Sequence, residues 1–203
     1  QIRASTQAAE NAGNLTITAN TVTLSGTSPS NIPSTIEAQS TGAGEAGDIQ
    51  LNADRLAVRD GATINTRSLQ GNGGNIRLDI DRILLLRRDS KISSEAGLEV
   101  SQNIAGGTAT TATEGSRAAD GDGGNITINA GFVICPAIEN SDITANASGG
   151  NGGTIDITTN ALLLGIAPRS QSTLLSDITA SAGSGGVDGT ITIAGVVDDL
   201  VPD

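Results

Sequence analysis

Six times along the chain a glycine is followed by an alternation of apolar and polar residues. The copies are Gly13-Asn-Leu-Thr-Ile-Thr-Ala19, Gly47-Asp-Ile-Gln-Leu-Asn-Ala53, Gly74-Asn-Ile-Arg-Leu-Asp-Ile80, Gly124-Asn-Ile-Thr-Ile-Asn-Ala130, Gly153-Thr-Ile-Asp-Ile-Thr-Thr159 and Gly189-Thr-Ile-Thr-Ile-Ala194. A period of two places alternate side chains on opposite faces of an extended strand, whereas a helix needs a period near 3.6. Three residues further on a second apolar pair appears: Val22/Leu24, Leu56/Val58, Ile83/Leu85, Val133/Cys135 and Leu162/Leu164. A third pair couples isoleucine with a small residue: Ile36/Ala38, Ile64/Thr66, Ile92/Ser94, Ile143/Ala145 and Ile178/Ala180. Three strands per repeat, in a constant register, predict an all-β, single right-handed parallel β-solenoid, a three-sided β-helix of about six coils, over residues 1–203.

Glycine-rich turns close each repeat, as in Gly71-Asn-Gly-Gly74 and Gly121-Asp-Gly-Gly124. Successive starting glycines lie 34, 27, 50, 29 and 36 residues apart, so the extra length falls in insertions. The longest is expected at about 97–120, with smaller ones near Gly26–Ser34 and Gly165–Ser176. Asn14, Asn75 and Asn125 share one turn position and predict a partial amide ladder, interrupted by Asp48, Thr154 and Thr190.

Composition sharpens this picture. The chain has 27 glycines, a single phenylalanine and no tryptophan, tyrosine, methionine or histidine. Its interior must therefore be built from Ile, Leu, Val and Ala, which suits thin stacked layers better than a compact globule. A net charge of −11 argues against nucleic acid and anionic membrane as partners, since both require clustered cations. Charge is unevenly spread: residues 1–100 carry 11 acids and 9 bases, residues 101–203 carry 11 acids and 2 bases. No apolar stretch approaches the ~18 residues of a membrane span.

The ordered phrases Leu84-Leu-Leu-Arg-Arg-Asp-Ser-Lys-Ile-Ser, Gly121-Asp-Gly-Gly-Asn-Ile-Thr-Ile-Asn-Ala, Glu139-Asn-Ser-Asp-Ile-Thr-Ala-Asn-Ala and Leu175-Ser-Asp-Ile-Thr-Ala-Ser resemble the C-terminal repeats of cyanobacterial filamentous-haemagglutinin-like exoproteins. That resemblance implies a right-handed parallel β-helix, export by two-partner secretion through an outer-membrane barrel, and a role in adhesion or surface structure. It implies no catalytic residue.

The absence of histidine excludes Ser-His-Asp and Cys-His pairs and imidazole metal ligands. Asp79, Asp81 and Asp156 are the candidates for carboxylate acid and base work, against a plain reading as solvated polar positions. Asp120, Asp122 and Asn125 are weighed as oxygen ligands for calcium, against a simple Gly-Asp turn. Cys135 falls in the inward register with Val58, Leu85 and Leu164 and reads as a small core residue. Arg82, Arg87, Arg88 and Lys91 form a basic cluster that either balances nearby acids or meets an acidic neighbour. An ice-binding face is disfavoured because the outward rows Thr16/Thr18, Gln50/Asn52, Arg77/Asp79, Thr127/Asn129 and Asp156/Thr158 carry charges. No cofactor or metal is expected.

Two surfaces are expected to be interfaces. Leu84, Ile134 and Leu163 alternate with the inward set and would stack as an exposed apolar stripe. Ile2 matches a third strand, while Val196 and Val197 fall where a second strand begins, so end-to-end assembly would complete a coil across the joint. The expectation is a secreted structural or adhesive protein, a subunit of an extracellular homopolymer with surface glycans as further partners; a carbohydrate-active β-helix is the alternative.

Overall fold

The computed structural model describes residues 1–30, 32–97, 121–163 and 165–197, with residues 162, 163, 196 and 197 described through their backbone alone. The insertion expected at about 97–120 thus lies outside the described residues from 98 onward, as do Asp120 and Leu164. Within the described residues the fold is all-β and consists of two extended parallel sheets.

The first sheet takes the long strands. β2 (Leu15–Ser25), β4 (Ile49–Arg59), β6 (Ile76–Arg87), β8 (Ile126–Ile134), β10 (Ile155–Leu163) and β13 (Ile191–Val197) pair in the order β13-β10-β8-β6-β4-β2. The second sheet takes the short ones: β1 (Ile2–Thr6), β3 (Thr35–Ser40), β5 (Thr63–Ser68), β7 (Lys91–Ala96), β9 (Asp142–Thr144), β11 (Ala167–Pro168) and β12 (Asp177–Thr179). Its order is β1-β3-β5-β7-β9-β12-β11. The repeated pairing of equivalent strands is a solenoid-like arrangement. The two alternations expected as separate first and second strands run together as one long strand in each repeat.

Isoleucine and leucine stack in register along the interior. Leu15, Ile49, Ile76, Ile126, Ile155 and Ile191 form one row by successive pairing. Ile36, Ile64, Ile92, Ile143 and Ile178 form the facing row. Both belong to one apolar core in which the middle members are fully buried. A single repeat has no way to bury its own apolar face, so each layer depends on its neighbours.

The register of the long strands is not constant. Between Ile80 and Ile83 the pairing with β8 shifts, because Asp81 and Arg82 stand opposite the single residue Gly131. This bulge presses two carbonyls against Gly131, where a Cβ would lie 2.6 Å from the Arg82 oxygen and 2.8 Å from the Asp81 oxygen. Only glycine fits there. The extra residue in β6 flips the phase of everything after it. Leu84 and Leu86 point into the core and are fully buried, while Leu85 is half-exposed.

Outside the core, side chains knit neighbouring repeats at the glycine-rich corner. The Asn14 side-chain oxygen accepts from the Asp48 N–H at 2.8 Å, and Asp48 Oδ1 accepts from the Asn75 N–H at 2.8 Å and from Asn75 Nδ2 at 3.0 Å. Asn75 accepts from the Asn125 N–H, and Asn125 from the Thr154 N–H. Asp48 therefore continues the ladder that was expected to break there, because the position needs an acceptor and a carboxylate serves as well as an amide.

Candidate interfaces and grooves

The expected stripe Leu84, Ile134 and Leu163 is corrected at its first member. Leu84 is fully buried and pairs between Leu56 and Val133, all three in the core. The outward row through Ile134 is instead Thr23, Ala57, Leu85, Ile134 and Leu163. Ile134 is half-buried, and the side chain of Leu163 lies outside the described residues. Beside it run Arg55, Ile83, Phe132 and Ala161, so these two outward rows turn apolar from β6 onward. Phe132 is 44% exposed there.

The basic cluster is internally balanced. Arg82 pairs with Asp54 at 2.8 Å and Lys91 with Glu95 at 2.6 Å, while Arg87 meets Glu139 and Arg88 meets Asp60. The two guanidiniums hold their carboxylates below the ordinary range: hydrogen bonding to Arg88, then to Ser25, brings Asp60 down to about 2, and Arg87 lowers Glu139. Glu139 also accepts from the Arg88 N–H, which stitches the end of β6 to the short 3-10 turn Ala137–Glu139.

Cys135 is fully buried, as its register implies, and desolvation pushes its thiol up to about 12. It follows Ile134, the last paired residue of β8, which stands opposite Leu85; because of the bulge it is Leu86, paired with Val58, that shares the core with Cys135, and not Leu85. The thiol donates to the Ser141 carbonyl at 3.3 Å. A thiol so buried and so weakly acidic is a poor nucleophile.

Among the described residues, two grooves stand out on the surface. The larger, about 680 Å³, runs along the glycine-rich corner and is floored by Ala46, Gly73, Gly123 and Gly152. Its walls are two ladders. One is the Asn14 to Thr154 series; the other, not anticipated from the sequence, is Asn11, Glu45, Asn72, Asp122 and Asn151. Asn11 accepts from the Glu45 N–H at 2.9 Å, Asn72 from the Asp122 N–H at 2.9 Å and Asp122 from the Asn151 N–H at 2.7 Å. Asn72 Nδ2 also donates to Glu45 at 3.0 Å. The calcium candidates Asp122 and Asn125 thus spend a side-chain oxygen each on the next repeat's backbone. Among the described residues no group of three acidic or sulfur side chains is placed to hold a metal ion.

The smaller groove, about 490 Å³, lies where the long strands bulge and is lined by Asp79, Asp81, Asn129, Gly131, Thr158 and Asn160 among others. Two of the three carboxylate candidates therefore share a groove. Asp156 does not line it; it pairs in the row of Thr127 and Thr192. Asp79 is gripped by Arg77 through Nε at 2.8 Å and Nη2 at 2.9 Å, and accepts from Asn129 at 2.7 Å. Those partners occupy it as an interstrand clamp, while Asp81 is exposed beside it.

Ile2 is 49% exposed on β1, which pairs with β3 at one margin of the short-strand sheet. Val196 and Val197 pair with Ala161 and Leu162 through their backbone, and their side chains lie outside the described residues. The place for a short strand beyond β12 is occupied, by Ala167–Pro168 of the Gly165–Ser176 insertion. No described helix is long and apolar enough to cross a membrane. No family model, curated protein or solved structure matches the chain.

Proposed function

We propose that this chain is a structural or adhesive rod of the cell exterior, a right-handed three-sided β-solenoid of the filamentous-haemagglutinin-like, two-partner-secreted kind. The observation that carries this reading is the unbroken stacking of equivalent residues through successive repeats. Ile49, Ile76, Ile126 and Ile155 lie in register inside, and two ladders of polar side chains lie in register outside. A body cross-linked along its axis by backbone, apolar and polar rows resists bending and presents regularly spaced groups to a partner. Its partners would be further copies of the chain and surface glycans.

Negative-stain microscopy of the purified chain tests the reading. Rods a few nanometres long, alone or joined in line, are expected; compact isotropic particles would overturn it.

A carbohydrate-active or glycan-binding role is the second reading, favoured by the one groove that Asp79 and Asp81 share. Cleavage of any member of a polysaccharide panel, lost in both Asp79→Asn and Asp81→Asn, would establish it over the structural one. Binding without cleavage would make the groove a glycan subsite on the rod.

A further inference from the structure

The Gly165–Ser176 insertion lies before β13 in the chain, yet it is placed beyond β12 at the margin of the short-strand sheet. It reaches this place through Gly165, whose φ is +91° and whose Cβ would lie 2.8 Å from that of Ala137, so the turn admits no side chain. Three features of the segment then close the margin together. Ile166 is 4% exposed and belongs to the apolar core. Ala167–Pro168 pairs in parallel with Asp177–Ile178, and the Arg169 N–H donates to the Ile178 carbonyl at 2.9 Å. In a parallel ladder alternate residues point their backbone groups to opposite sides, so the backbone groups of Pro168 face away from β12. That is the position from which a further strand would be paired, and proline has no N–H to give it.

The third feature is charge. Lys91 pairs with Asp142, whose carboxylate accepts from the Asp177 N–H on the next strand at 3.0 Å. Asp177 is fully buried, and Arg169 of the insertion forms an ion pair with it while the Thr173 N–H donates to the same carboxylate. The foot of the segment is pinned by Ser176, whose N–H donates to the Ala137 carbonyl at 2.7 Å and whose hydroxyl donates to the Pro136 carbonyl at 2.6 Å.

We infer that the Gly165–Ser176 insertion is an edge guard that closes this margin of the short-strand sheet to any added β-strand, from another copy or another protein. Exposed parallel edges recruit strands, and native sheets blunt them with short edge strands, proline and inward charge. This segment combines all three. The inference holds whatever follows β13, because the guard is built from residues before it.

The test uses a fluorescent peptide copying residues 34–41, the segment around β3 that pairs on both sides in this sheet, and reads its binding by anisotropy. It is titrated onto the unaltered chain, onto Pro168→Val, and onto a chain in which Ile166 to Thr173 are replaced by Gly-Ser. Binding to other edges is common to all three and cancels. The guard requires at least a tenfold gain in affinity when the segment is replaced and a smaller gain for Pro168→Val, which restores one outward N–H. Equal affinity for all three proteins overturns it. If the replaced chain does not fold, by circular dichroism, Pro168→Val decides alone: no gain there overturns the inference. The readout is strand pairing, so it stands apart from whether the chain is a rod subunit.

Discussion

The two sheets face the same core but are held by different chemistry. The long strands bury isoleucine and leucine on one face, leave polar and apolar residues on the other, and run 11 residues in β2 and β4 and 12 in β6. The short strands bury residues on both faces: Ile36, Ile64 and Ile92 on one, Glu37, Ser93, Thr144 and Thr179 on the other. On the isoleucine face, small polar residues reach into the glycine-rich corner. Thr66 and Ser94 both donate to the Gly74 carbonyl, at 2.8 Å and 2.6 Å, and Ser68 donates to the Gly44 carbonyl at 2.8 Å. One sheet is stabilised mainly by area removed from water, the other by satisfying the turns that join it to its neighbour.

The largest expected effect breaks the apolar sheet. Leu84→Ala deletes a fully buried side chain and should cost about 2–5 kcal/mol. Leu85→Ala, one residue on but facing outward, should cost about 1 kcal/mol or less. Urea melts of the two variants separate them; equal losses would mean the bulge at Asp81 and Arg82 is wrongly placed.

A smaller effect is expected in the polar sheet, and it should be non-additive. Thr66→Val leaves the Gly74 carbonyl with Ser94, and Ser94→Ala leaves it with Thr66. Each single change should cost about 1 kcal/mol, because one donor remains. The double variant orphans a buried carbonyl and should lose about 1 kcal/mol more than the two combined. Strict additivity in a double-mutant cycle would show that the carbonyl does not depend on this pair.

The ladder at the corner should respond to chemistry rather than to charge. Asp48→Asn keeps an oxygen for the Asn75 N–H, whereas Asp48→Ala removes it. The alanine variant should melt lower by about 1 kcal/mol and the asparagine variant should stay close to the unaltered protein.

These contrasts also show what the sequence could reveal. The inner rows of the long strands were legible because apolar and polar residues alternate strictly at Ile49, Leu51 and Ala53 and at Ile126, Ile128 and Ala130. The phase of the second half of β6 was not, because Ile83, Leu84, Leu85 and Leu86 are all aliphatic and carry no alternation to fix it. The bulge that sets the phase shows itself only as one more residue than β4 has. The second ladder left a visible signal: Asn11, Glu45, Asn72, Asp122 and Asn151 each stand two residues before a starting glycine. It lies before the glycines, outside the alternation that marks the strands. In the sequence Thr66 and Ser94 show only as small residues, since their partners are turn carbonyls brought close only by folding. The guard was visible as extra length and a proline, but its register against Asp177 and Ile178 is tertiary information.

The smallest expected effect is a pair of opposite pH responses, one from each sheet. Asp60 follows the long strand β4, and Arg88 and Ser25 hold it at about 2, below its ordinary value of 3.8. The folded state therefore takes up this proton less readily than the unfolded chain. Stability from Asp60 is present above the ordinary value and is lost as pH falls from there to about 2. Asp142 of β9, in the short-strand sheet, is shifted the other way: burial raises it and the neighbouring Asp177 carboxylate adds to the rise, against hydrogen bonding from the Asp177 N–H and the pull of Lys91. Its folded form holds the proton more tightly, so stability from Asp142 is present below the ordinary value and is lost as pH rises through the raised one. Thermal melts across pH 2 to 7 (a range on the order of these carboxylate pKa values) should therefore move oppositely in two variants. Asp60→Asn should flatten the acid limb, and Asp142→Asn, which keeps an acceptor for the Asp177 N–H without the charge, should remove the loss of stability toward neutral pH and melt higher there. A neutral-pH melt of Asp142→Asn below that of the unaltered chain would show that the Lys91 attraction outweighs desolvation at that row.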